Sequence, residues 1–185
     1  MIGAEAALRL RRLGTVDIQH GLTDAEFDEI ELQYGFEFAI DHRAFLAEGL
    51  PVWTKGDDHP DKASWGWPNW RDGDREELQA QADHPETVIL RAVRDGHWPD
   101  GWKRRPADPE LAVAEARSRL ADVPRMIPVY AHRYLPAGRD TSGRSVLSIH
   151  ALHDILVYGL DLADYVDQEF RTRQQVDVPF WRDYL

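Results

Sequence analysis

Apolar positions along this chain come in short sets with clear ends, and most have helical spacing. Phe27, Ile30 and Tyr34 fall on one face of a 3.6-residue period. Thr23 and Glu26 precede them as a capping box, Leu22 is placed to staple against Phe27, and Gly35 sits where a C′ residue belongs. A second helix is predicted from an Asp41 cap, with Ile40 before it, Phe45 four residues in, and Gly49-Leu50-Pro51 as its stop. A short third helix starts at Asp74, with Glu77 at N3. Asp108-Pro109 opens another, which runs to about Leu120 on Leu111, Ala112, Ala116 and Leu120. The last begins at Asp161, with Leu160 and Tyr165 as a staple pair and Leu162, Val166 and Phe170 along its stripe.

Strand patterns are fewer. Met126 to Tyr130 is interrupted by Pro128, which has no N–H for a ladder and so points to an edge or a bulge. Val146, Ser148 and His150 alternate with Leu147 and Ile149, a half-buried strand pattern. Ile155 to Tyr158 fits strand or helix. Val88 to Val93 is equally open, although Pro85 before it and Gly96 after it favour a helix beginning near the proline. No repeat of fixed period and no low-complexity linker divides the chain. The expected fold class is α+β in a single domain over residues 1–185, with residues 1–20 as an N-terminal helical extension and 171–185 as a C-terminal tail.

Composition narrows the chemistry. A chain of 185 residues with 43% hydrophobic content can bury one sizeable core. It has no cysteine, which removes disulfides, thiolate metal sites and Cys-His dyads. No apolar run reaches the roughly 18–20 residues that span a bilayer, and Met1 to Leu13 lacks a signal-peptide core, so a cytoplasmic location is expected and no membrane partner. The three lysines and nineteen arginines read as coding bias and not as an arginine patch.

Charge is unevenly placed. The net charge is −11, and Asp17 to Asp61 alone holds twelve acidic side chains against only Arg43 and Lys55. Such a face repels nucleic acid and attracts basic partners, with an on-rate that falls as salt rises. A merely solvated, solubilising face is the plainer reading. The residues read as a partner-binding rim are Glu26, Glu29, Glu31, Glu37, Asp57 and Asp58, with Trp53 and Trp65 as aromatic anchors.

His150-x-x-His153-Asp154, with His132-Arg133-Tyr134 upstream, is the sharpest polar cluster. No convincing third ligand accompanies the histidines, so no metal site is expected, and no cofactor-binding motif is present. As an acid/base set, His132 or His150 would be the proton-transferring group while Arg133 or Tyr134 would hold an anion or oxyanion. Trp67, Trp70 and Trp98 are candidates to wall a pocket around that set. Stacking of nucleic-acid bases on these rings needs a basic groove, which the net charge opposes.

Pro124-Arg125-Met126-Ile127-Pro128-Val129-Tyr130-Ala131-His132-Arg133-Tyr134-Leu135-Pro136 resembles bacterial members of the SUKH superfamily, as do Val146 to His150 and Tyr158 to Phe170. Trp98 to Pro106 and, more loosely, Tyr34 to Pro51 extend the likeness to about two thirds of the chain. That superfamily includes a cell-wall-assembly regulator and many bacterial immunity proteins. The resemblance implies a mixed or antiparallel sheet with helices packed around it, in a domain that binds a protein, often a toxin; it transfers no catalytic set. Ala131 stands where related sequences carry glycine, and a backbone that wanted positive φ there is strained by alanine.

Two functions follow as expectations. One is an immunity-type module that neutralises a basic protein, such as a nuclease toxin, by steric and electrostatic occlusion. The other is a small cofactor-independent enzyme or small-molecule binder using His132, Arg133, Tyr134 and His150 in a tryptophan-walled pocket.

Overall fold

The computed structural model describes residues 1–54 and 65–170. In chain order the elements are α1 (Ile2–Leu13), β1 (Val16–Gln19), α2 (Asp24–Tyr34), α3 (Ile40–Glu48), β2 (Leu50–Thr54), α4 (Arg75–Arg94), α5 (Pro109–Leu120), β3 (Met126–Tyr130), β4 (Arg133–Pro136), a 3-10 turn (Arg139–Thr141), β5 (Val146–Ile149), β6 (Ile155–Gly159) and α6 (Leu162–Phe170). They make an α+β domain with two antiparallel sheets, one of order β1-β2 and one of order β3-β4-β5-β6. No described helix is long and apolar enough to cross a membrane.

Local capping accounts for most helix ends. Thr23 and Glu26 form the reciprocal capping box of α2, and Gly35 closes it in the left-handed region at φ 67°. Asp74, Asp108 and Asp161 accept the first free N–H groups of α4, α5 and α6. Two details differ from the sequence reading. Helix α3 begins two residues early, with Ala39 as its N-cap, and Asp41 is a buried acceptor for the N–H groups of His42 and Gly143. Leu160 stays 72% exposed, so it does not pack down as a staple on the buried Tyr165.

The larger difference is α4. The two segments either side of Pro85 are one 20-residue helix that runs through the proline. A proline inside a helix frees the carbonyl four residues back, here that of Gln81. Tyr134, from β4, donates its hydroxyl to that carbonyl at 3.2 Å. A partner from the sheet thus replaces the bond the proline removes, and the helix continues.

The main core lies beneath α1, α2, α3, α6 and one face of the larger sheet. Ala6, Ala7 and Leu10 bury the inner face of α1 against α3 and α6, so the N-terminal helix is an integral part of the core. β3 is a sheet edge, as Pro128 requires. β1, β2 and β4 are strands the hydrophobic pattern did not reveal. Ala131, in the β3–β4 turn, is the one non-glycine residue with positive φ among those described, at 49°. Its N–H donates to Gly66 and its carbonyl accepts from Gln81, bonds that hold it in the strained region.

Candidate functional site

The histidine cluster lies at the sheet end where β3 turns into β4 and β5 into β6. The rings of His132 and His150 meet edge to face at 5.3 Å, and His84 of α4 packs against Trp65 at 5.0 Å and Tyr134 at 6.5 Å. Burial, then the Arg133 and His150 charges, pull His132 down to about 4. His84 is also lowered, chiefly by burial. His153 is exposed and outside this group. Strand alternation separates the other two candidates. Tyr134 faces α4, where burial raises its pKa. Arg133 faces α6: its guanidinium lies 3.8 Å over the Tyr158 ring, donates to Ser148 Oγ at 3.2 Å and faces Glu169 at 3.3 Å. His132, Arg133, Tyr134 and His150 therefore do not converge on one reacting atom.

Nor do the tryptophans wall one cavity. Trp67 is buried between Phe45, Tyr130 and Phe170, and Trp70 among Tyr34, Phe36 and Phe38. Trp98 pairs with Trp102 in a separate cluster between α4 and α5.

The acidic rim is partly neutralised. Arg71 donates to Glu26 and to the carbonyls of His20 and Gly21; with the Thr23 bonds it holds Glu26 down at about 2. Arg139 donates to Glu31 at 2.6 Å and to the Phe38 carbonyl. Arg43 adds Asp24 at 2.7 Å and Asp28 at 4.0 Å. Glu26 and Glu31 thus hold the fold together, while Glu29 and Glu37 stay exposed. Asp57, Asp58 and the Trp53 side chain lie outside the described residues, and Trp65 stands at the histidine cluster, away from α2.

A third surface was not anticipated. Between α4, the α5–β3 connection and the β5–β6 face runs an apolar groove of about 270 Å³, whose walls include Pro85, Ile89, Val123, Met126, Ile149 and Ile155. Its open side is β6, where Ile155, Leu156 and Val157 are 37%, 57% and 62% exposed. The signal for it was in the sequence: an Ile-Leu-Val run with no lysine or proline to protect an edge.

No protein-family model, curated protein or solved structure matches this chain.

What these surfaces can do follows from their chemistry. Among the described residues no group of three or more histidines or carboxylates is disposed to hold a metal ion. His132 and His84 are a pH-sensitive part of the fold, together with His42. His42 is fully enclosed beside Phe38, its Nε2 has no described partner, and burial pulls it down to about 3. A depressed folded-state value means that the fold favours neutral imidazole. Its contribution is whole above the ordinary 6.5 and is lost as pH falls through 6.5 toward 3–4. Urea denaturation should show stability flat above pH 7 and declining steadily below 6.5, with a shallower decline in His42→Phe. An unchanged slope in that variant would remove His42 as the cause.

Proposed function

We propose that this chain is a protein-binding module of the immunity type, which neutralises a basic protein, such as a nuclease toxin, by covering its working surface. The observation that carries this reading is the apolar groove with its β6 strand, which no other described residues cover. Contiguous exposed apolar surface beside an unpaired sheet edge marks a place where another chain docks. The net charge of −11 and the exposed Glu29 and Glu37 favour a cationic partner by steering its approach. Likeness of residues 98–106, 124–136, 146–150 and 158–170 to the SUKH superfamily points the same way. In this reading the acids set the encounter rate, and the groove sets the lifetime of the complex.

The test starts with affinity capture from the host that encodes the chain. Each captured protein is purified and recombined with the chain at about 50 and about 300 mM salt, on either side of the usual screening range. A net-positive protein that forms a one-to-one complex, with association slowing as salt rises, is the expected result. Glu29→Lys with Glu37→Lys should slow association and leave dissociation unchanged, whereas Val157→Lys should speed dissociation. Capture of no protein that re-forms a complex when pure would overturn the reading.

A further inference from the structure

The hydrogen-bond phase of the larger sheet determines what β6 offers to another chain. Ile149 donates its N–H to the His132 carbonyl at the head of β4, at 2.9 Å, and is the register partner of Ile155. In an antiparallel pair, opposed residues either exchange both of their bonds or exchange neither. The Ile149 N–H is committed on the β4 side, so Ile155 turns its own N–H and C=O away from β5. Val157, two residues on and opposite Leu147, does the same. The bond from His150 N–H to the Asp154 carbonyl confirms the alternate phase. Among the described residues β6 ends the strand order, so these backbone groups face outward along a side that no described strand covers.

The side chains are in step with that backbone. Ile155 and Val157 lie across from Ile149 and Leu147, and Leu147, Ile149 and Ile155 all line the groove. The residues that present free backbone groups are therefore the ones that widen the apolar surface. Natural edges are usually protected by lysine, proline or an inward charge, and Ile155–Gly159 has none of these.

Charge selects the occupant. Two copies of a chain at −11 repel each other. Arg125 of the groove wall is already set against Asp83 at 2.6 Å, and Glu86 of the wall is met by Arg117 from outside it at 3.5 Å. Asp154, at the head of β6, is exposed and has no arginine or lysine paired with it among the described residues. We propose that β6 is completed by an extended segment of a basic protein, which bonds to the Ile155 and Val157 backbone and lays alternate aliphatic side chains over the groove. This rests on the protein-binding reading above and names its mode, strand addition, in which the main chain supplies affinity and alternate side chains supply specificity.

The probe is a blocked decapeptide of alternating valine and lysine, and fluorescence anisotropy with the full chain is the readout. The sharp variant is Val157→Pro. It removes only an outward N–H and leaves the β5–β6 ladder intact, whereas Leu156→Pro breaks a bond to β5 and should lower the melting temperature. Wild type should bind the probe. Val157→Pro should bind it at least about tenfold more weakly at an unchanged melting temperature, because the lost donor leaves an acceptor unpaired. N-methylation of the probe's valines should cost as much, and replacing its lysines by glutamates should weaken binding similarly. Binding that ignores both Val157→Pro and N-methylation overturns strand addition and leaves a protein-binding groove standing. No binding by wild type overturns strand addition, and an empty capture experiment then removes the broader reading too. A wild-type dimer in sedimentation that Val157→Pro dissociates would replace the basic partner with a second copy.

Discussion

Arg133→Ala is expected to destabilise the protein by about 3–5 kcal/mol in urea denaturation, because it leaves Glu169 enclosed without its cation. The Glu169 side chain is only 19% exposed, and Arg133 itself is buried. The guanidinium also caps the Tyr158 ring and bonds Ser148, so truncation removes packing along with charge. The diagnostic variant is the double replacement Arg133→Met with Glu169→Leu. Exchange of a buried pair for apolar groups of similar size is often neutral, so the double variant should recover most of the loss. A single-variant loss below about 1 kcal/mol would mean that the pair is solvated and Arg133 does not hold α6 to the sheet. The functional consequence is direct. Loss of partner binding in Arg133→Ala would report lost structure and not a lost contact.

Gly3→Ala should be nearly as damaging, although alanine is the better helix former by roughly 0.5–1 kcal/mol. A Cβ at Gly3 would overlap the carbonyl oxygen of Asp41 and come within 2.9 Å of the Phe45 nitrogen. Those atoms are backbone at the start of α3, so no side chain can swing aside. Relief requires α1 and α3 to separate, which opens the contact around Ala6, Ala7 and Phe45. Overpacking of this kind costs about 1–3 kcal/mol, and a backbone obstacle places it at the upper end. Thermal melts of Gly3→Ala and Gly66→Ala make the comparison, since a Cβ at Gly66 meets nothing within 4 Å. Equal melting temperatures would show that α1 adjusts freely and that its close approach to α3 is not required.

The candidate site was less legible than the fold. Of the residues grouped from the sequence, His132 and His150 lie ring to ring, because two turns at one end of a sheet place them side by side, while His153 stays outside. Arg133 and Tyr134 were grouped with them by sequence adjacency, which a strand converts into opposite faces. The acid-rich segment was visible as a charge count, yet Arg71 and Arg139 reach Glu26 and Glu31 from 45 and 108 positions away. A count along the chain contains no term for such pairing. The open β6 strand was visible only as an ambiguous apolar run, since its exposure depends on where the sheet stops.

Properties set within a few residues were determined by the sequence alone. The capping box at Thr23, the aspartate caps at 74, 108 and 161 and the edge position that Pro128 favours each depend on the residue itself and its neighbours in the chain. Tertiary structure decided the rest, because each remaining feature depends on a partner that is distant in sequence. The helix crosses Pro85 with Tyr134 supplying the missing donor, and acids at α2 become structural only because arginines arrive from 45 and 108 positions further on. An Ile-Leu-Val strand becomes an exposed sheet edge only where, among the described residues, no further strand covers it. Local chemistry specifies which bonds a residue can make; the packed chain settles which of them remain open to another molecule.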